Sequence, residues 1–350
     1  MCTNIGAAGD AVVPEGRVYI GSVSDDPYDI RTKLILRRPL GGHAFIGTHL
    51  APLAAASAQS YSDSVSGAPT RGLNEQGLAF TWTLALEKAD NADPEGAMKP
   101  HDVWAAVMTR CATVDEAIAL LERLARGFAG AGMLADREGR LALVEIGRKR
   151  INVTERRDRR AGGTAVNVNC WVGMQAEEGD PLCALDNPKV PNQSRYGRAN
   201  ELLAEAAGRI DLAAMARLLS DHAHKDRFAG ENPWIPGHGY SICNHGSLHT
   251  AAFDPTRPAW GSVSAEIIDP VGGVFWYAYG WPCGEAPEYA DQMLQERAWG
   301  RFLGFPVAGL PEGDYTTLTG ELTHLAARHL DRILELDRAT GEVSPGRAAA

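Results

Sequence analysis

The order of strand-like and helix-like segments restricts the fold of this 350-residue chain more than any other feature. Short β-branched and aromatic runs fill the first third of the chain, and helical periodicity follows them. The same succession, strands and then helices, returns in the second half. Because the two kinds of segment do not alternate as βαβ units do, the sequence predicts an α+β fold with two antiparallel sheets and helices outside them.

The individual elements follow from hydrophobic periodicity and from turn residues. Thr113, followed by Asp115 and Glu116, indicates the start of a helix. Strands are expected at residues 17–23, 33–37, 44–47, 77–83, 131–135, 141–146, 164–168, 240–243, 249–253, 262–268 and 274–279, and helices near 104–108, 117–124, 195–207, 211–220, 290–303 and 318–336. We expect one domain over residues 2–285 and a helical extension over 286–350 that packs on it, with a frayed tail.

Charge and cysteine usage restrict the partners and the compartment. The chain has 44 acidic and 34 basic residues, and its formal net charge of -10 disfavours nucleic acid and anionic membranes as partners. No apolar run is long enough for a membrane span, and the start lacks a secretory-signal pattern, so we expect a cytoplasmic protein. The six cysteines contain no Cys-x-x-Cys pair, which predicts free thiols in a reducing compartment.

Cys2 is the first residue that suggests chemistry. Methionine aminopeptidase removes an initiator Met readily when the next side chain is small, and Cys2 would then carry both a thiol and a free α-amine. An α-amine has a pKa of about 7.7–8.0 and can act as a general base at neutral pH. The amine would take the thiol proton, and the thiolate would attack a carbonyl carbon. A cysteine at position two also occurs by chance, so further residues must support this interpretation.

Several short motifs follow Cys2 in a characteristic order. They are Gly-Ser-Val-Ser-Asp at 21–25, Gly-Leu-Asn-Glu-Gln-Gly-Leu-Ala at 72–79, Val-Asn-Val-Asn at 166–169, Ser-Arg-Tyr-Gly-Arg-Ala at 194–199, Ser-Ile-Cys-Asn-His at 241–245 and Gly-Trp-Pro-Cys at 280–283. With the Met-Cys-Thr start, the earlier motifs resemble choloylglycine hydrolases and penicillin V acylases. The later ones resemble the acyl-coenzyme A:6-aminopenicillanic acid acyltransferase group (peptidase C45-like). The resemblance covers about residues 2–285 and implies the four-layer αββα sandwich of N-terminal-nucleophile (Ntn) hydrolases.

The resemblance also implies roles for residues around the nucleophile. Cys2 would be the nucleophile, and Asp25 would hold its α-amine. Arg195 would lie under the site and orient Asp25 or the thiolate. Asn74 would donate to the oxyanion or position a backbone donor for it, and Asn167 or Asn169 would supply a second contact. Each residue also has a purely structural interpretation, such as a turn or a solvated helix start.

One position departs from the families' pattern and affects the expected substrate. Ser22 stands where those families carry an arginine, and Arg17 or Arg31 is a possible replacement. Ser22 therefore belongs to the expected substrate site, and a bile-salt or penicillin V substrate is not favoured. Trp82 and Trp171 follow the motifs and are expected to line an apolar acyl pocket.

The favoured function is a cofactor-free amidohydrolase that cleaves a small linear N-acyl amide through a Cys2 thioester. An acyltransferase that passes the acyl group to an amine remains open, as does a non-catalytic amide-binding protein. A metal-dependent hydrolase would use the histidines at 222, 224, 238, 245 and 249, but a surface loop is the favoured interpretation, so no metal is expected. A homo-oligomer is possible, with the helices beyond residue 285 as its interface.

Overall fold

A computed structural model describes residues 2–27, 29–53, 69–88, 92–155, 163–174, 177, 179, 191–223, 240–245, 260–285 and 297–346. Within these residues, two eight-stranded sheets form the centre of the molecule, and neighbouring strands in both pair antiparallel. No helix in the described ranges has the length and apolar character that crossing a lipid bilayer requires.

The first sheet has the strand order β10-β1-β2-β11-β12-β13-β15-β16, and the second has the order β14-β3-β4-β5-β6-β7-β8-β9. The first contains β1 (Cys2–Ala8), β2 (Val18–Pro27), β10 (Thr164–Asn167), β11 (Trp260–Asp269), β12 (Val274–Tyr279), β13 (Phe302–Pro306), β15 (Leu334–Leu336) and β16 (Val343–Pro345). The second contains β3 (Ile30–Arg37), β4 (Phe45–Pro52), β5 (Pro69–Asn74), β6 (Ala79–Leu84), β7 (Gly130–Ala135), β8 (Leu141–Ile146), β9 (Ile151–Glu155) and β14 (Gly313–Asp314).

Helices cover the outer faces of both sheets. They are α1 (Pro100–Arg110), α2 (Val114–Arg123), α3 (Pro191–Ala206), α4 (Leu212–Leu219) and the short α5 (His324–Ala327). Helices α1 and α2 pack on β5 and β7 of the second sheet, whereas α3 and α4 pack on β10, β2 and β11 of the first. The structure therefore confirms the predicted α+β fold of four layers, αββα.

Three buried apolar clusters hold these layers together. The central cluster, which includes Ile20, Leu73 and Met133, lies between the sheets. A second joins the first sheet to α3 and α4, and a third joins the second sheet to α1 and α2. Because side chains alternate across a strand, each strand contributes one face to the central layer and the other to a helical layer.

Most of the predicted elements are confirmed within the described residues. Strands β2, β3, β4, β6, β7, β8, β10, β11 and β12 and helices α1 to α4 lie at or near the expected positions. The predicted start of α2 is also correct, since the Thr113 side chain accepts a hydrogen bond from the backbone N–H of Glu116. The strand predicted at 249–253 lies outside the described residues, and residues 240–243 form turns instead of a strand.

Within residues 297–346, the part beyond residue 285 that the structure describes, the predicted helical extension is wrong. Residues 297–301 are not helical, and of the helix predicted at 318–336 only α5 forms. Strands β13, β15 and β16 instead extend the first sheet, and β14 adds to the edge of the second. Phe302, Phe305 and Ile333 are fully buried in this arrangement, so tertiary burial outweighs helical periodicity here. An oligomer interface made of C-terminal helices has no basis in the described residues.

Candidate active site

Cys2 begins β1 and faces the space between the two sheets. Gly6, on the same side of β1, lies against Met133 and Leu141 of the second sheet, and strand alternation gives Cys2 the same orientation. The thiol thus lies at one end of the central layer, half-buried, with Ser24 as its partner across β2.

The nitrogen of Cys2 is held by a direct hydrogen bond. It donates to Oδ1 of Asn169 at 2.6 Å. The side-chain nitrogen of Asn169 donates in turn to Oγ1 of Thr83 at 2.6 Å and to the carbonyl oxygen of Leu84 at 2.9 Å. Since Met1 precedes Cys2 in the chain, this nitrogen is a peptide N–H that stands in for the α-amine of a chain beginning at Cys2.

Arg195 fastens the start of β1 from the first turn of α3. One terminal nitrogen donates to the carbonyl oxygen of Cys2 at 2.6 Å and to Oγ1 of Thr3 at 2.9 Å. The other donates to Oδ1 of Asn192 at 2.7 Å and to Oδ1 of Asn169 at 3.3 Å. Arg195 is completely buried, and it therefore lies under the nucleophile, where the resemblance places it.

Asp25 is a buried carboxylate on β2, close to these charges. Burial raises its pKa to about 6, and the positive charges of the chain's N-terminus and of Arg195 and a hydrogen bond from Ser262 oppose that shift. Oγ of Ser262 donates to Oδ1 of Asp25 at 2.8 Å. Burial lowers the pKa of Arg195, and the charges of Asp25 and Cys2 act in the opposite direction. These mutual effects place Asp25, Arg195 and Cys2 in one electrostatic neighbourhood.

Arg71 is the residue that the sequence interpretation missed. It extends from β5 into the central layer and donates from Nε to Oγ of Ser22 at 2.9 Å, and its charge interacts with that of the Cys2 side chain. Its Nε also lies 3.6 Å from Oε2 of Glu266. Burial lowers the pKa of Arg71, but the negative charges of Cys2 and Glu266 outweigh that effect and leave it raised. Burial raises the pKa of Glu266 to about 7, against the influence of Arg71.

The two arginines suggested as replacements at Ser22 lie elsewhere. Arg17 forms an ion pair with Asp269 at 2.7 Å, and Arg31 donates to its neighbouring carbonyl and affects the pKa of Tyr279. Arg71 supplies the positive charge instead, from another strand. A signal existed in the sequence: Arg71 shares a strand face with Leu73, so a β-strand there turns it toward the core.

Asn74 has a structural task in this arrangement. Its Nδ2 donates to the carbonyl oxygens of Met108 and Cys111 at 2.9 and 2.7 Å, which ties β5 to the end of α1. Its Oδ1 accepts from the backbone N–H groups of Gln76 and Leu78 across a turn. With both amide hydrogens donated to carbonyls, the Asn74 side chain has none left for an oxyanion, which contradicts the side-chain form of that prediction.

The contacts of Asn167 and Asn169 show which of the two lies against Cys2. Asn167 is fully buried, accepts from Nδ2 of Asn4 at 3.1 Å and donates to the carbonyl oxygen of Cys170. It pairs with Asn4 in the sheet, two residues away from Cys2. Asn169 contacts the nucleophile through its carbonyl oxygen, but its amide hydrogens are donated to Thr83 and Leu84, so its side chain has none left for the oxyanion. Asn167 joins the strand pair.

The two tryptophans expected in an acyl pocket are core residues. Trp82 packs edge-on against Phe128 in the helix-side cluster, opposite the face that carries Thr83. Trp171 is 1% exposed, and its indole N–H donates to the carbonyl oxygen of Gly130 at 2.7 Å. The structure therefore contradicts their predicted role as pocket walls.

The fold is that of the N-terminal-nucleophile hydrolases, as the resemblance implied, with Cys2 at the start of its first strand. The chain belongs to the acyl-coenzyme A:6-aminopenicillanic acid acyl-transferase family, whose model matches residues 54–265, more than half of its length. No curated protein matches it in sequence.

Solved structures agree with the fold at low sequence identity. A mutant of the conjugated bile acid hydrolase from Clostridium perfringens is 13% identical, with a TM-score of 0.52 and coverage of 93% of this chain and 99% of that chain. Another variant of that hydrolase is 12% identical, with a TM-score of 0.51 and coverage of 92% and 99%. Penicillin V acylase from Agrobacterium tumefaciens is 15% identical, with a TM-score of 0.49 and coverage of 79% and 83%.

Proposed function

We propose that the protein cleaves a small, linear N-acyl amide through a thioester on Cys2, after removal of Met1. The 2.6 Å contact between the Cys2 nitrogen and Asn169 carries this proposal. It holds the future α-amine in a fixed position on the residue that bears the thiol. An amine that is held in place can serve as the general base for its own side chain.

The reaction requires two proton transfers through that amine. The amine takes the proton from Sγ, and the thiolate attacks the carbonyl carbon of the amide. The resulting ammonium returns its proton to the leaving nitrogen as the carbon–nitrogen bond breaks, which leaves the acyl group on sulfur. A water molecule then gives a proton to the amine and attacks the thioester, and the carboxylic acid departs as the thiol reforms.

Two charged groups support these steps. The guanidinium of Arg71 lies beside the sulfur and favours negative charge there. An ionised Asp25 favours the ammonium that forms on Cys2 during attack, since opposite charges in a buried site interact strongly. Asn169 and Arg195 act as positioning residues, because they hold the backbone of Cys2 in place.

An apolar acyl group fits the exposed residues next to Asn169. Leu84 and Leu86 are 54% and 47% exposed and flank Ala85, which packs against Trp171 in a small buried cluster. Val172 follows Trp171 and is 48% exposed. Since the Leu84 carbonyl accepts a hydrogen bond from Asn169, the segment that carries Leu84 and Leu86 adjoins the nucleophile. These exposed aliphatic side chains are the acyl-binding surface that we propose in place of the two tryptophans.

Acyl transfer is the second candidate, and the family match favours it. An amine that enters the site in place of water would take the acyl group from the same thioester. The two outcomes differ only in the second substrate, so they can be separated by product analysis with and without added amine.

The first test is intact-mass spectrometry of the full chain before and after brief treatment with a small thiol alkylator. We expect a chain that lacks Met1 and one fast label that maps to Cys2. The label should disappear in Cys2→Ala and persist in the matched control Cys111→Ser, because Cys111 is buried in the core beside α1. A retained Met1, or a Cys2 that reacts no faster than the other cysteines, would contradict the proposal.

We also propose that the enzyme works in the cytoplasm and without a catalytic cofactor. The described cysteines are free thiols, which suits a reducing compartment. Cell fractionation with a C-terminal tag tests the location, and an acyl-amide substrate screen in the presence of a chelator tests the cofactor.

A further inference from the structure

Four metal-ligating side chains converge at a second place in the molecule. His222, Cys243, His245 and Cys283 each offer one ligand atom, and these four atoms all lie within 4.8 Å of one another. We propose that this cluster is a structural zinc site. Cys243 is completely buried, and His245 and Cys283 are 7% and 8% exposed, whereas the His222 side chain is 27% exposed, so three of the four ligands are buried and the site opens on the His222 side.

The separation of the two sulfurs fits a tetrahedral ion. Sγ of Cys243 lies 3.6 Å from Sγ of Cys283, and Nε2 of His245 lies 3.1 Å from the latter sulfur. With zinc–sulfur bonds of about 2.3 Å, a tetrahedral angle separates two thiolate ligands by about 3.8 Å. The two sulfurs are too far apart for a disulfide, whose S–S bond is about 2.05 Å long. They have the spacing of two ligands of one ion.

The surroundings of the ligands support the same interpretation. Nδ1 of His222 is buried and has no hydrogen-bond partner among the described residues, whereas its Nε2 lies 3.7 Å from Glu285. A ring with one nitrogen turned to a carboxylate commonly binds a metal through the other nitrogen. Cys283 Sγ also accepts a hydrogen bond from the backbone N–H of Glu285 at 3.3 Å, a contact that stabilises a thiolate.

The composition of the site identifies the ion and its role. Two thiolates and two imidazoles favour zinc over magnesium or calcium, which prefer oxygen ligands. Four protein ligands leave no open position for water or substrate, so the ion has a structural role. It would join three segments that are distant in sequence, namely the end of α4, residues 240–245 and the turn after β12.

This site is connected to the catalytic centre by a short chain of hydrogen bonds. Asn244 lies between the ligands Cys243 and His245, and its backbone N–H donates to Oγ of Ser262 at 2.8 Å. That hydroxyl donates to Oδ1 of Asp25, also at 2.8 Å. An ion that holds residues 243–245 in place therefore also positions Asp25 beside the nucleophile.

Metal analysis of the full-length protein tests the proposal directly. The chain should be produced without a polyhistidine tag, purified under reducing conditions and examined by elemental mass spectrometry. We expect about one zinc ion per chain, as four protein ligands define one structural site. Replacement of zinc by Co²⁺ should give the intense visible absorption of tetrahedral cobalt, with thiolate-to-cobalt charge-transfer bands in the near ultraviolet.

Cysteine variants distinguish binding at this cluster from binding elsewhere on the chain. Cys243→Ser and Cys283→Ser should each reduce the metal content by about tenfold or more and abolish the charge-transfer bands. Cys111→Ser should keep both signals, and so should Cys2→Ala, because the nucleophile is not a ligand. The wild-type measurement remains valid even if a ligand variant does not fold. A wild-type chain with no bound zinc and no cobalt spectrum, or an intact mass showing a Cys243–Cys283 disulfide, would overturn the proposal.

Discussion

Arg71 donates from Nε to Oγ of Ser22 at 2.9 Å, so the serine that replaces a family arginine holds another arginine in its place. The guanidinium comes from β5 of the second sheet, whereas Ser22 lies on β2 of the first. Arg71 therefore supplies a positive charge near the Cys2 side chain, although Ser22 stands where the resemblance implies an arginine. The buried carboxylate of Glu266 balances this charge from β11.

Removal of the Arg71 charge should slow the reaction at sulfur. Arg71→Met should lower kcat/KM by about a hundredfold, in the range known for the loss of one preorganised group that stabilises developing charge. The rate of Cys2 alkylation by a neutral reagent should fall together with kcat/KM.

Because Arg71→Met leaves Glu266 buried without its partner, the double variant Arg71→Met/Glu266→Gln should be compared as well. Arg37→Met, in which the replaced side chain is 42% exposed, is the control. Unchanged alkylation in both Arg71 variants would show that the guanidinium does not act on the thiol.

Asn169 and Asn167 form a matched pair for testing the positioning of the amine. Asn169→Ala removes the acceptor of the Cys2 nitrogen and should reduce kcat by about a hundredfold with little change in KM. Asn167→Ala removes contacts within the strand pair and should lower the melting temperature more than it lowers kcat. Steady-state kinetics and thermal unfolding of the two variants provide the comparison. The reverse pattern, with Asn167 decisive for kcat, would mean that the wrong asparagine has been assigned.

Protonation of Asp25 should reduce activity at low pH. Its pKa in the folded protein is about 6, and our mechanism requires the carboxylate form, so kcat/KM should decline as the pH falls through about 6. In Asp25→Asn, activity should be low at all pH values, and this limb should be absent. A wild-type profile that stays flat from pH 7 to well below 6 would exclude an essential ionised Asp25.

The Asp25 carboxyl should lower the stability of the fold as the pH rises, whereas it raises activity over the same range. Its folded pKa of about 6 lies above the ordinary value of 3.8, so the folded state binds the proton more tightly than the unfolded state. The contribution of Asp25 to stability is therefore greatest below pH 3.8, decreases as the pH rises through 6 and is constant above that. The loss is about 3 kcal/mol, from about 1.4 kcal/mol per pKa unit. Denaturant unfolding between pH 4 and pH 7 should show a steeper loss of stability in the wild type than in Asp25→Asn, because Glu266, whose pKa burial raises to about 7, contributes to the slope in both.

Asn74 should prove structural. Asn74→Ala removes four hydrogen bonds in a buried turn and should destabilise the fold by about 2–4 kcal/mol, while kcat per folded molecule changes little. Denaturant unfolding and active-site titration with the thiol alkylator separate the two effects. A stable variant with greatly reduced kcat would restore Asn74 to the oxyanion role suggested by the resemblance.

The motif around Asn74 illustrates what a sequence pattern can and cannot show. The glycine at 77 adopts a φ of +84°, and the Asn74 side chain accepts two N–H groups of the same turn. The motif is thus required by a hairpin between β5 and β6. A polar residue before a strand can be needed for the turn or can contact the substrate. The order of residues in the sequence is the same in the two cases and does not distinguish them.

The sequence by itself determined the α+β class, the start of α2 at Thr113 and the reactive potential of Cys2, because periodicity, capping and a terminal position are local properties. Only the tertiary structure showed that Arg71 faces the thiol, that Asn169 holds its nitrogen and that the residues beyond 297 extend the sheets. It also brought Cys243 and Cys283 together with two histidines, although each looks like a buried hydrophobe in the sequence. These relationships join strands and turns far apart in the chain, and they depend on which sheet faces which, a property that no local pattern contains.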